Sequence, residues 1–381
     1  MRAGCLAVSI VLLVLLVLAA GFFLLVLLRD IDFASREPGP EPPPAPSPRT
    51  RPSATPRPSP SVPPDRYAEW VGSLNRFERR DGGTHHELRY GFLDHHGRRQ
   101  EVTCRIAKAD HQRETTSFGY SKPELEAHAD AVLQDWIDGE LARRGLAPYV
   151  HATVAGGYRW QSRFPALDAD ALGQLYVEIE RFRSWLQDGY DRKRAEVQDA
   201  YLRERGFLLE DNTIGIDYAR VVSRAERPID DCRRALAVAA TEDSERQRLG
   251  VFIAFLQELR YEVPRNPAGR EIGGLYPPTE VLVNDHGDCD SKSATFAALW
   301  RNHASAVLLI EAPGHMLVGV ETRPAPGLKS VRIGNRYFVL CEVAGPGKSH
   351  PGAKGISGQF QYWLLEPVGE APQAIRGRSS P

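Results

Sequence analysis

His286-Gly287-Asp288-Cys289-Asp290-Ser291-Lys292-Ser293 is the stretch that decides the reading of this chain, together with Gly314-His315-Met316-Leu317-Val318-Gly319-Val320, whose histidine follows the cysteine by 26 residues. The first segment reads as a tight turn that delivers Cys289 onto the first turn of a helix. The second reads as a strand that begins with His315. A thiol and an imidazole presented in this way are the two parts that thiol acyl-transfer chemistry needs. A helix N-terminus favours the thiolate, because its unpaired N–H groups and dipole attract an anion. Asp288 fits as the N-cap, with Ser291 and Ser293 near the other first-turn donors. The charges of Asp288 and Asp290 oppose a thiolate, so a cationic histidine is required nearby. The plain alternatives are a buried structural cysteine and a structural histidine at a strand start; the polar turn around Cys289 argues against the first.

A third member should orient the imidazole. Glu342 ends the strand Tyr337-Phe338-Val339-Leu340-Cys341, and strand alternation puts it on the face opposite Cys341. Asp290 and Glu321 are rival acids. Glu321 lies six residues along the strand from His315, about 20 Å away when extended, which makes it the poorer candidate. The expected oxyanion donors are the Cys289 backbone N–H and the side chain of Gln257, in Phe255-Leu256-Gln257-Glu258-Leu259-Arg260-Tyr261. A solvent-facing helix glutamine explains the Gln257 pattern equally well. Asp288 and Asp290 complete the supporting set.

The segment from Gln257 to Glu342 resembles the bacterial transglutaminase-like cysteine peptidases of the transglutaminase superfamily. The matching elements run in order: a helix with Gln257 and Tyr261, the loop Leu275-Tyr276-Pro277, Gly287-Asp288-Cys289-Asp290-Ser291-Lys292, Gly314-His315, and a strand ending in an acid before Gly345-Pro346-Gly347. The resemblance covers residues 230–381. It implies a papain-like core and a Cys-His-acid triad of Cys289, His315 and Glu342. The chain departs from the family in having Glu where Asp is usual, and Ser291 where a second acid is frequent. Residues 65–215 carry no such likeness.

The rest of the chain surrounds this core. Residues 3–28 hold no charge, and a helix there is about 39 Å long, enough to span a bilayer. A cleaved signal peptide with a site at Ala19-Ala20-Gly21 competes, but the apolar run continues past it. Residues 1–29 are therefore expected to be a transmembrane anchor and 30–64 a Pro-rich linker. Residues 37–64 carry 13 prolines among 28 residues, a polyproline spacer of up to ~85 Å. Basic residues near the anchor do not decide its orientation; the long spacer favours an extracytoplasmic domain, in a single-pass protein of the cell envelope.

Residues 65–215 read as an accessory α/β region, a candidate surface for an envelope protein partner, and 216–381 as the transglutaminase-like domain. The pattern predicts a hairpin over 85–108 around Asp94-His95-His96-Gly97, a helix over 123–144, a strand within 149–160, and a long helix over 169–206 with Gly189 as a weak point. That helix suits packing on its own domain better than a coiled-coil arm. A strand with its connector follows over 213–223. Helices near 228–240 and 243–260, a loop at 264–279, the Cys289 helix and strands near 305–311, 315–322, 329–334, 336–343 and 359–366 make an α+β plan.

The net charge of −1, without a basic block, argues against nucleic-acid binding. The five cysteines (Cys5, Cys104, Cys232, Cys289, Cys341) are too scattered for a disulfide framework or zinc site, and leave room for one bridge such as Cys104 with Cys232. His85, His86, His95 and His96 invite a metal reading, but no Cys or acidic cluster accompanies them and neighbours on a strand face opposite ways, so neither metal nor cofactor is expected. The expected activity is cleavage or transfer of an acyl group at a protein or peptide amide. The alternative is a lapsed enzyme kept as a binding or structural module of the envelope.

Overall fold

The structure is a computed structural model that describes residues 76–379, apart from 241–243, 302–304, 324, 346, 357–358 and 367–374. The expected anchor and Pro-rich linker lie outside the described residues. Among the described residues no helix is long and apolar enough to cross a membrane.

Strands β1 (Arg76–Asp81), β2 (His85–Leu93) and β3 (Arg99–Ala107) form an antiparallel sheet in that order. Alternation does the sorting: Leu88, Tyr90, Phe92, Val102, Cys104 and Ile106 are buried, while Glu87, Arg89, Glu101 and Arg105 face out. The β2–β3 turn is organised by Asp94, which accepts hydrogen bonds from the backbone N–H of His96 and Arg98 and from the Arg98 and Gln100 side chains. Helix α1 (Lys108–Ser117) has no apolar periodicity and is invisible to pattern reading. Its buried Glu114 accepts the Thr279 N–H.

Helices α2 (Lys122–Arg143) and α3 (Ala169–Glu204), with the hairpin β4 (Val150–Val154) and β5 (Tyr158–Ser162), enclose a core of their own. Leu133, Ile137 and Leu141 of α2 meet Ile179, Phe182 and Leu186 of α3, so the stripe of the long helix is satisfied within the chain. Gly189 does not interrupt α3: it is buried beside the Trp136 ring. The helix ends before Gly206, at φ +83°. The hairpin β6 (Phe207–Glu210) and β7 (Thr213–Ile216) turns through Asp211 and Asn212, both at positive φ. The expected connector after it is a helix, α4 (Tyr218–Ala225), capped by Asp217.

Helices α5 (Asp230–Ala239) and α6 (Glu245–Glu258), strand β8 (Arg260–Tyr261), helix α7 (Pro278–Asn284), strand β9 (His286–Gly287) and helix α8 (Cys289–Trp300) follow. From Ser291 to Trp300 every residue of α8 is buried, and its small residues Ser293, Ala294, Ala297 and Ala298 allow close approach from all sides. Strands β10 (Val307–Ala312), β11 (His315–Glu321), β12 (Ser330–Ile333), β13 (Arg336–Cys341), β14 (Phe360–Leu365) and β15 (Ile375–Ser379) build a six-stranded antiparallel sheet, ordered β12-β13-β11-β10-β14-β15. The architecture is α+β, with eight helices among the described residues.

One continuous apolar core joins β2 and β3 to α4, α6, α7, α8 and the inner face of the six-stranded sheet. The expected boundary at residue 215 therefore does not coincide with a core boundary; residues 133–190 hold the separate core instead. A disulfide between Cys104 on β3 and Cys232 on α5 ties these parts together across 128 residues of sequence. A cross-link over so long a loop restricts the unfolded chain by about 4–5 kcal/mol in the chain-entropy account. Replacing both cysteines by serine should lower unfolding free energy by a few kcal/mol in a urea titration, and reduction of the wild-type protein should give the same curve.

Candidate active site

The turn before α8 is closed by several independent contacts. Asp288 caps the helix, accepting from the Ser291 N–H (3.0 Å) and the Ser291 hydroxyl (2.6 Å). The same hydroxyl accepts the Tyr276 N–H at 2.9 Å, which fastens the Leu275-Tyr276-Pro277 loop to the helix. A Cβ at Gly287 would stand 3.1 Å from Ser291 Cβ and 3.3 Å from Val281 Cγ2, so the chain is closely packed there. His286 stacks on Tyr276 and pairs with Glu262 at 2.9 Å.

His315 enters through a Pro313-Gly314 turn with Gly314 at φ +74°. Its Nε2 is 2.6 Å from Glu342 Oε2. Burial pushes the Glu342 carboxyl up, but its hydrogen bond and charge pairing with His315, the Ala344 N–H and the Lys354 ammonium outweigh burial and hold it at about 2. A carboxylate that stays ionised can only accept, so Nε2 carries a proton and the acceptor nitrogen of the neutral tautomer is Nδ1. The imidazole is 37% exposed while Glu342 is almost fully buried, the disposition of a base presented by a hidden orienting group.

Cys289 sits against the backbone of β11, with the Met316 N–H directed at the sulfur. Its thiol donates to Asp290 Oδ1 at 3.3 Å, and the Tyr218 hydroxyl donates to Asp290 Oδ2 at 3.4 Å. Burial, then Asp290 and Asp288, push the thiol up; the Met316 N–H pulls the other way without balancing them. Burial and Asp290 raise Asp288 to about 7, and burial with Glu311 raises Asp290 as well. The three groups therefore disfavour one another's charge. The capping field at the N-terminus of α8, expected to activate the thiol, is outweighed here by the two carboxylates that flank it. The donor atoms of Asp288, Cys289 and Asp290 lie within 4.8 Å of one another, but each is already engaged in the contacts above.

One expectation is corrected. Gln257 is buried, and both N–H groups of its carboxamide are committed, to Glu342 O at 2.6 Å and Ser349 O at 3.1 Å. It braces the backbone of the acid and has no N–H left for an oxyanion. The rival acid Glu321 is bound to Arg336. His85, His86, His95 and His96 do not converge: His86 pairs with Asp81 and His111, His85 with Thr84, and His95 with Gln257, while His96 is exposed.

Three residues have contacts at the site that sequence reading did not assign. Parallel pairing of β8 with β9 sets Tyr261 opposite Gly287, and its hydroxyl is in hydrogen-bond contact with the Cys289 thiol. Burial first, then the charges of Cys289, Asp288 and Asp290, keep that phenol protonated, so it is a donor beside the Cys289 thiol. Lys292, fully buried one turn after Cys289, donates to Leu259 O and Ala344 O at 2.6 and 2.8 Å. Lys354 reaches Glu342 at 3.1 Å. Adjacency of Tyr261 to the Gln257 helix was visible; nothing in sequence says that a two-residue strand would aim it.

Comparison with known protein families, curated proteins and solved structures finds no match.

Asp290→Asn removes the nearer like charge and should speed alkylation of Cys289 near neutral pH, on the order of ten-fold. Stopped-time iodoacetamide labelling read by peptide mass spectrometry checks this; an unchanged or slower rate would show that Asp290 does not restrain the thiol.

Proposed function

We propose that the protein is a thiol acyl-transfer enzyme of the transglutaminase-like kind, with a papain-like core, acting on a protein or peptide amide. The observation that carries this reading is the 2.6 Å contact between His315 and the ionised, buried Glu342, in a site where the thiol of Cys289 lies on the adjoining backbone. Cys289 Sγ attacks the carbonyl carbon while its proton passes to His315 Nδ1. The tetrahedral oxyanion is met by the Cys289 N–H and the Tyr261 hydroxyl. The C–N bond breaks, the leaving amine takes the proton from His315, and a thioester remains. Water as acceptor completes hydrolysis or deamidation; an amine completes transamidation; either restores the thiol. No step of this cycle calls on a cofactor.

The disulfide supports a position outside the cytoplasm, since such bonds persist in oxidising compartments. With the apolar run at 3–28 and the spacer behind it, this gives a tethered enzyme of the cell envelope. A second reading, a lapsed site kept for partner binding, is favoured by one observation: the thiol is pushed up by burial and by its own flanking acids.

The pH dependence of Cys289 alkylation separates the two. An active pair gives labelling below pH 8 that His315→Ala slows by at least about ten-fold at pH 7, with Glu342→Gln intermediate. Identical profiles in wild type and His315→Ala would sink the enzyme reading.

A further inference from the structure

The β2–β3 turn, far from the cysteine in sequence, reaches the acid of the site through a single side chain. Gln257 donates from its carboxamide nitrogen to Glu342 O and Ser349 O, which fixes the orientation of the amide. Its Oε1 must then accept, from the Ser349 N–H at 3.3 Å and from His95 Nε2 at 3.2 Å. His95 is therefore the Nε2–H tautomer. Its Nδ1 is left buried with no partner. Gly250 of α6 makes room for the ring: a Cβ there would stand 3.3 Å from Nδ1. The ring is thus placed by its Nε2 contact with Gln257, while Nδ1 lies unpartnered in the space beside Gly250. The turn is clamped independently by Lys348, which donates to Leu93 O at 2.6 Å and pairs with Glu258 at 3.0 Å.

We propose that His95 is a positioning residue of the site: its Nε2–H orients Gln257, and Gln257 holds the backbone at Glu342 and Ser349 so that the Glu342 carboxylate meets His315. This rests on the reading of Cys289, His315 and Glu342 as an acyl-transfer triad. It gives the N-terminal sheet a role in the reaction. The groups facing His95 are Gln257, His350, Lys348 and Asp94; burial comes first in disfavouring its charge, and His350 and Lys348 add to it, so the ring works as a neutral donor.

The test compares two substitutions in the full-length chain. In His95→Gln the carboxamide nitrogen replaces Nε2–H; in His95→Asn the shorter amide replaces Nδ1 and falls short of Gln257. Each is scored by the pH profile of Cys289 alkylation and by melting temperature, beside His315→Ala and Gln100→Leu. His95→Gln should keep the wild-type profile. His95→Asn should lose about five-fold in rate at pH 7, the equilibrium worth of one hydrogen bond, and move toward His315→Ala. Gln100→Leu removes a hydrogen bond to Asp94 that braces the same turn, away from Gln257 and His95, and should lower the melting temperature while leaving the profile in place. The inference is overturned if His95→Asn matches wild type while His315→Ala loses reactivity, a result that leaves the triad standing. It is also overturned if Gln100→Leu moves the profile as far as His95→Asn, or if His95→Asn fails to fold while His95→Gln does not, because the role is then structural. Loss of no reactivity in His315→Ala overturns the triad and the inference together.

Discussion

A buried ammonium holds the candidate site together. Lys292 has no exposure at all, and its Nζ donates to the last carbonyls of two separate segments, Leu259 after α6 and Ala344 after β13. Burial of a cation is costly unless hydrogen bonds and opposite charge replace its water. Asp285, Asp288, Glu342 and Glu258 supply that charge, though burial still lowers Lys292 to about 7. The consequence is geometric. Leu259 precedes Tyr261 by two residues, and Ala344 follows Glu342 by two, so one side chain on the cysteine helix fixes both the phenol and the acid relative to the thiol. Gly345 tightens the same junction: it has φ +67°, and a Cβ there would stand 2.8 Å from the Gln257 carbonyl oxygen.

The electrostatics of the site follow from crowding carboxylates in a place that only one helix N-terminus and one imidazole can serve. Asp288 is taken up by capping, Asp290 by the thiol and Tyr218, and Glu342 by His315 and Lys354. Of these, Glu342 alone is bonded to His315 and Lys354, and it alone is held at about 2. The other two are pushed up by burial and like charge. A division results, in which one carboxylate holds the His315 imidazole and two disfavour charge on the Cys289 thiol.

The helices with strong periodicity were readable because burial writes itself into spacing. Leu133, Ile137 and Leu141 of α2, and Ile179, Phe182 and Leu186 of α3, repeat at three and four residues and are buried in that register. Helix α1 was not readable, since its one buried residue is the acidic Glu114, held by an N–H from α7 rather than by apolar contact. The role of Gln257 was misjudged for a related reason. A polar residue on an apolar helix signals a buried partner, but sequence does not say whether that partner is a substrate atom or a backbone carbonyl.

Local chemistry determined from sequence alone that Cys289 opens a capped helix, that His315 opens a strand, and that Glu342 ends a strand on the face opposite Cys341, because caps, Pro-Gly turns and strand alternation are properties of a few consecutive residues. The partners across space were decided by tertiary structure. Tyr261 faces the thiol because β8 and β9 pair in parallel. His95 reaches Gln257 because the N-terminal sheet shares its core with α6. The Cys104–Cys232 bond, open in sequence among other pairings, closes because β3 and α5 pack side by side. Each of these contacts joins segments whose sequences carry no trace of one another, and it is packing of the whole chain around α8 that brings them within reach.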